Sequence, residues 1–129
     1  MPASERAVEL GLAAAQAAAD KLASDILLLD VSEQLVITDV FLLASAPNDR
    51  QVMAVVDEVE ARLRDLGSKP LRREGTSEGR WVLLDFGDIV VHVQHQEERV
   101  FYALERLWKD CPTIPFVDAD MERAAGRAR

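Results

Sequence analysis

The segment of residues 81–93, two strand-like runs joined by a Phe-Gly pair, constrains the fold more than any other part of the sequence. Both runs are rich in β-branched and apolar residues, and a glycine at the second central position is typical of a two-residue hairpin loop. We therefore expect Phe86 and Gly87 to form the loop and Asp85 to pair with Asp88. Because side chains alternate along a strand, one face of the hairpin is wholly apolar and belongs in a core, whereas the other carries aromatic and acidic groups.

The mixed face of this hairpin is the first candidate for a functional surface. In the expected register it brings together six side chains, Trp81, Leu83, Asp85, Asp88, Val90 and His92. A tryptophan beside polar groups is typical of the residues that dominate protein interfaces. Two plainer interpretations stay open: Trp81 fills core space beneath a helix, and Asp85 and Asp88 are turn residues that bond nearby backbone.

Apolar periodicity along the rest of the chain predicts the other elements. We expect a helix at 4–23, strands at 25–31 and 35–45, a helix beginning at Asn48, an edge strand at 70–73 and a last helix at 96–109. The last helix is expected to bury its large apolar side chains, Val100, Phe101, Leu104, Leu107 and Trp108. The order α-β-β-α-β-β-β-α folds most simply as a single α/β domain, a mixed sheet of about five strands flanked by helices.

Length and composition fit one domain. The chain has 129 residues, 49% of them hydrophobic and 29% charged, as is ordinary for a soluble globular protein. We assign the folded domain to residues 1–110 and expect residues 111–129 to form a partly disordered tail. The single cysteine, Cys111, excludes an intramolecular disulfide and favours a reducing, cytoplasmic location. No apolar run approaches the roughly 18 residues of a membrane span.

The charge of the chain narrows the class of partner. With 23 acidic and 15 basic residues, the formal net charge is −8, which argues against binding nucleic acid by neutralising phosphates. An acidic surface instead suits a basic protein, because complementary charge speeds encounter and sharpens specificity. We expect a protein partner and no sequence-specific contact with nucleic acid.

Catalytic motifs are sparse in this sequence. The six glycines never fall at the spacing of a phosphate-binding loop, and His92 and His95 are placed to point to opposite faces of a strand, which disfavours a shared metal. The enzyme alternative is a nucleotidyltransferase-like, Mg²⁺-dependent activity that uses Asp39, Asp85 and Asp88. Such enzymes typically have a Gly-Ser loop that opens a helix, followed by an acid-x-acid pair on a strand, and the sequence shows neither arrangement, so we expect no catalysis, cofactor or metal.

Several separated motifs resemble, in order and spacing, the ribosomal silencing factor (Iojap-like) family. They are Thr38-Asp39, Glu74-Gly75, the runs 81–88 and 90–93, and the run 99–108, and the resemblance covers residues 5–110. It implies an α/β fold related to nucleotidyltransferases but without their catalytic residues. It also implies binding to the large ribosomal subunit through its protein number fourteen, a steric block of subunit joining and repression of translation. A role in large-subunit assembly, and a homodimer in some members, are implied as well.

The resemblance and the charge together suggest which residues bind the partner. We hypothesise that Trp81 is the anchor and that Asp85 and Asp88 meet Lys or Arg across the contact. The other candidates are Thr38, Asp39, Glu74, Gly75, His92, Arg99 and Tyr102. For Tyr102, packing within the last helix is the alternative, and the alanine-rich first helix leaves a dimerisation module as a further option.

Overall fold

A six-stranded mixed sheet forms the centre of the protein, for which a computed structural model describes residues 2–127. In chain order the elements are α1 (Glu5–Asp20), β1 (Ser24–Asp30), β2 (Val40–Ala46), α2 (Asp49–Asp65), β3 (Arg72–Glu74), β4 (Trp81–Asp85), β5 (Ile89–His95), α3 (Gln96–Tyr102), α4 (Leu104–Leu107), β6 (Thr113–Ile114) and α5 (Ala119–Arg127). The strands lie in the order β3-β4-β5-β2-β1-β6. β2 and β5 run parallel and the other neighbours antiparallel. The predicted α/β domain is confirmed, with β6 as a sixth strand.

Helices α1 and α2 cover one face of the sheet. Ser4 caps α1 by accepting a hydrogen bond from the Ala7 amide (3.1 Å), and Asn48 caps α2 by accepting one from the Gln51 amide (2.8 Å). Five of the seven alanines of α1 are buried within the chain, and Ala13 and Ala19 are half-buried. Together the two helices bury the apolar face of the hairpin, Val82, Leu84, Ile89, Val91 and Val93. Within residues 2–127, no helix is long and apolar enough to cross a bilayer.

The opposite face of the sheet is covered over only part of its width. Over β1 and β2, Leu104 and Trp108 pack on a second apolar cluster, and the Trp108 ring meets the ring of Phe41 edge-on at 5.2 Å. Over β4, Trp81 and Leu83 remain partly exposed, and the three residues of β3 are all exposed. This open region is therefore where the sheet itself can meet a partner.

The chain after residue 110 also contacts the sheet. Cys111 is buried in the second apolar cluster, and the Asp30 amide donates to the Pro112 carbonyl (2.8 Å). The two residues of β6 then pair with β1. At the start of α5, the Ala119 amide donates to Gln16 of α1 (2.9 Å).

The predicted pairing of Asp85 with Asp88 is wrong. The two-residue loop consists of Gly87 and Asp88, and Asp85 pairs with Val90. Gly87 has φ +87°, a conformation that favours glycine, and Phe86 is buried and so belongs to the strand side of the turn. The register differs by two residues, so the side chains of the paired strands stay on the faces predicted for them, whereas Asp88 lies in the loop.

The predicted helix over 96–109 is also wrong, because it breaks at Ala103. This residue adopts a left-handed conformation (φ +45°, ψ +53°) between α3 and α4. Leu104 and Trp108 pack inward as expected, whereas Val100 and Phe101 are 80% and 79% exposed.

The second predicted strand begins later than expected. Residues 35–39 form a loop, and β2 starts only at Val40. In this loop Val36 is fully exposed and Ile37 is 80% exposed. The apolar run of the sequence therefore continues past the end of the strand into a connection.

Candidate protein-binding surface

Trp81 lies at the centre of the candidate surface. It pairs with Gln94 of β5, and its side chain lies on the face of the sheet opposite α1 and α2. The indole is half-buried: Nε1 donates to His92 Nδ1 (3.2 Å), and the ring packs at 4.8 Å on the ring of Tyr102 in α3. Trp81 is therefore neither free on the surface nor enclosed beneath a helix, and part of its ring faces solvent.

The buried side chain of His92 contacts the indole of Trp81. The imidazole is buried, packs edge-on against the Phe41 ring at 5.1 Å, and accepts the indole N–H through Nδ1. Burial lowers the pKa of His92 to about 4, so the ring is neutral at physiological pH and its proton is assigned to Nε2. A buried neutral histidine that accepts this bond orients the tryptophan and does not itself face a partner.

Eight of the ten predicted partner-binding residues divide between two ends of the sheet. Trp81, His92, Arg99 and Tyr102 gather where β4 begins and β5 ends. Four others lie at the opposite end, Thr38, Asp39, Asp85 and Asp88. Asp85 is four residues from Trp81 along β4, about 13 Å at roughly 3.3 Å per residue, so the predicted acids are not direct neighbours of the tryptophan.

The residues at the far end bond to nearby backbone. Asp85 accepts a hydrogen bond from the Gly87 amide (2.8 Å) within the turn. Asp39 accepts one from the Ser4 amide (2.9 Å), and its own amide donates to the Asp88 carbonyl (3.1 Å). Thr38 is buried. These contacts fix the turn and the entry into α1, although Asp88 is also exposed.

The three carboxylates of the enzyme alternative do not converge. Within residues 2–127, the acidic side chains close enough together to share a cation are Asp20, Asp118 and Asp120. Asp20 is paired with Arg62 (2.8 Å), which holds the pKa of the Asp20 carboxyl below its usual range. The geometry therefore gives no support to a magnesium site built from Asp39, Asp85 and Asp88.

Glu74 and Gly75 differ in what they contribute. Glu74 is exposed on β3 opposite Leu83, and borders a hollow lined also by Trp81. Gly75 has φ +80°, and a Cβ there would overlap the carbonyl oxygen of Trp81. Gly75 thus lets the connection from β3 pass against β4 at the position of the tryptophan.

Sequence reasoning missed the exposed apolar residues of α3. Val100 and Phe101 were expected in the core, and the sequence carries no signal for the break at Ala103, since alanine is the strongest helix former. Arg99, in contrast, is buried and its Nε donates to Glu105 (3.3 Å). The surface therefore includes apolar groups that the motif alone did not suggest.

Comparison with known families gives a consistent result. The family model described as "Ribosomal silencing factor during starvation" matches residues 4–129, which extends beyond the resemblance over residues 5–110. A ribosomal silencing factor of Bacillus subtilis is 44% identical over 99 residues, 77% of this chain and 84% of the relative. One from Halalkalibacterium halodurans is 40% identical and covers 82% of this chain and 91% of the relative.

Two crystal structures share the fold. A protein from Chromobacterium violaceum superimposes with a TM-score of 0.76 at 35% identity, covering 78% of this chain and 84% of that one. A protein from Bacillus halodurans superimposes with a TM-score of 0.73 at 34% identity, covering 88% of this chain and all of the other.

Proposed function

Because this chain belongs to the ribosomal silencing factor family, we propose that it binds the large ribosomal subunit through its protein number fourteen and blocks joining of the small subunit. The block is steric, so it represses translation without catalysis and without a cofactor. We also propose that it acts in the cytoplasm, where ribosomes assemble and initiate, and that it assists large-subunit assembly.

The observation that carries this proposal is the held, half-exposed indole of Trp81. Its N–H is bonded to His92 and one ring face is packed on Tyr102, so little side-chain freedom remains to be lost on binding. Rigid aromatic anchors surrounded by weaker contacts are the usual energetic centres of protein interfaces. This geometry suits docking onto a protein surface.

The net charge supports a basic protein as the direct contact. At −8, the chain is repelled by exposed phosphate and attracted to a cationic protein beside it. Glu74 on β3 and Glu97 at the start of α3 are exposed near the candidate surface. Carboxylates at the rim of an apolar contact favour a partner with Lys or Arg at the matching positions.

Co-sedimentation with purified large subunits tests the proposal. Trp81→Ala is expected to weaken binding by about 2 kcal/mol or more, roughly 30-fold, because an interface anchor is lost. Light scattering should show the same variant failing to slow subunit joining. Leu71→Ala is the matched control, since Leu71 is 77% exposed and its amide pairs with Asp85, at the far end of β4.

Circular dichroism must show that both variants are folded. Equal binding by the wild-type protein and folded Trp81→Ala would exclude Trp81 as the anchor. Absence of wild-type co-sedimentation would contradict the proposed function itself. Light scattering on the protein alone measures whether it forms the homodimer that the family resemblance implies.

A further inference from the structure

Helix α3 buries a charged residue and exposes two large apolar residues. A helix on the surface of a domain normally turns its apolar stripe inward and its charges outward. In α3, Arg99 is 6% exposed, whereas the next two residues, Val100 and Phe101, are largely exposed. Arg99 is held by Glu105 across the break, with its Nε 3.3 Å from the carboxylate. The inward side of α3 therefore carries an ion pair where a surface helix normally carries apolar side chains.

The break at Ala103 sorts the apolar residues of this region into two groups. Leu104 and Trp108 turn back into the second apolar cluster, while Val100, Phe101 and Leu107 stay outside. A left-handed alanine costs roughly 1–2 kcal/mol. The fold thus accepts backbone strain in an arrangement that leaves large apolar side chains in water.

The exposed side chains continue the surface around Trp81. The Phe101 ring meets the Tyr102 ring edge-on at 4.9 Å, and Tyr102 lies 4.8 Å from Trp81. Three rings therefore form one row from β4 across α3, which we call the aromatic row (Trp81, Tyr102, Phe101). Val100 adjoins its outer end in sequence, and Gln96 and Glu97 lie beside it.

We propose that α3 is the second half of the docking surface, and that Val100 and Phe101 contact an apolar segment of the same basic large-subunit protein. This inference rests on the proposed function. Glu97 is exposed beside the apolar residues, and the single guanidinium of Arg80 pairs with both Glu97 (3.6 Å) and Glu98 (3.0 Å), so these three side chains keep a net negative charge on the flank of the helix. The matching partner surface has an apolar centre and cationic neighbours. Arg99 acts as a positioning residue that keeps the two apolar side chains outward.

A double substitution, Val100→Ser with Phe101→Ser, tests this inference. Both residues are exposed, so the fold is expected to survive. The matched control is Val36→Ser with Ile37→Ser, an equally exposed apolar pair in the loop before β2. Affinity is measured with isolated large-subunit protein number fourteen and with purified large subunits, and the oligomeric state by sedimentation.

The α3 variant is expected to bind both targets at least about tenfold more weakly, and the control within about twofold of the wild type. Unchanged affinity of the α3 variant, while Trp81→Ala loses binding, would overturn the inference and leave the proposed function intact. A changed oligomeric state with unchanged affinity would assign α3 to contacts between copies of this chain and also overturn it. Failure of the wild type to bind either target would remove the proposed function and this inference together.

Discussion

At the scale of single residues, Trp81 and His92 have different roles in the candidate surface. The imidazole is buried and supplies an acceptor, and the indole uses its N–H on that acceptor and keeps part of its ring in solvent. A tryptophan whose polar atom is already satisfied presents mainly apolar area to a partner. His92 therefore orients the indole, and of these two residues only Trp81 is exposed to a partner.

Protonation of His92 should make stability depend on pH. Burial lowers its pKa from 6.5 to about 4. Between these pH values His92 is protonated in the unfolded chain and neutral in the folded protein. The free energy of unfolding is therefore unaffected by titration of His92 above about pH 6.5. It falls as the pH drops below this value, by about 3 kcal/mol at pH 4.

Urea unfolding of the wild type and of His92→Gln measures this effect. The glutamine offers an acceptor for the indole but does not titrate, so the wild type should lose stability relative to the variant between pH 7 and pH 4. A stability difference that stays constant over that range would contradict the assignment of a neutral, buried His92.

At the scale of elements, the connection from β3 to β4 sets the position of the candidate surface. Gly75 approaches the backbone of Trp81 too closely for any side chain. A bulkier residue at position 75 must push the β3–β4 connection away from β4 at Trp81. The glycine of the Glu74-Gly75 motif is thus explained by strand packing, without a direct contact to a partner.

Gly75→Ala should therefore cost more than a left-handed glycine normally does. Gly67, with φ +83°, is the matched control, because a Cβ there would meet only the end of the Arg6 side chain at 3.9 Å. Gly67→Ala carries backbone strain alone, about 1 kcal/mol, and Gly75→Ala should add steric overlap for a total of at least about 3 kcal/mol. Thermal unfolding of both variants gives the comparison, and equal losses would show that the strands separate freely.

Among the elements, the apolar faces of helices and strands were predicted from periodicity. Features that depend on the backbone conformation of one residue, such as a turn or a helix break, were missed. The apolar face of the hairpin and the stripe of α2 follow from spacing alone. The hairpin register does not, because Phe-Gly and Gly-Asp both suit a two-residue loop and only burial of Phe86 distinguishes them. Ala103 likewise carries no mark of its left-handed conformation, so the exposure of Val100 and Phe101 could not be predicted. For the site, the motif indicated Trp81 and Tyr102 but not how α3 places them together.

At the scale of the whole molecule, charge and shape make separate contributions. In the proposed complex, the acidic net charge would act at long range on the association rate, and the aromatic row would act on contact, on the dissociation rate. An acidic chain that meets a basic protein surrounded by RNA is attracted by one and repelled by the other. Orientation on approach is therefore a property of the full charge distribution.

Salt should slow association with isolated large-subunit protein number fourteen. Between about 50 and 500 mM salt we expect the association rate to fall roughly tenfold, with a smaller change in dissociation. Glu97→Gln should reduce this salt dependence, and Asp57→Asn, which neutralises an exposed acid on α2, should reduce it less. Stopped-flow tryptophan fluorescence, to which Trp81 and Trp108 both contribute, follows the reaction, and an association rate that does not change with salt would contradict electrostatic steering.

The two outer strands of the sheet, β3 and β6, are both short. β3 offers three residues, all charged, and β6 only two, so neither rim provides a long apolar template to which another chain's backbone can add. The aromatic rings are therefore exposed on a face of the sheet whose edge strands do not favour the addition of a strand from another chain. A partner that docks on the proposed surface would therefore meet side chains on a sheet face and not the backbone of an edge strand.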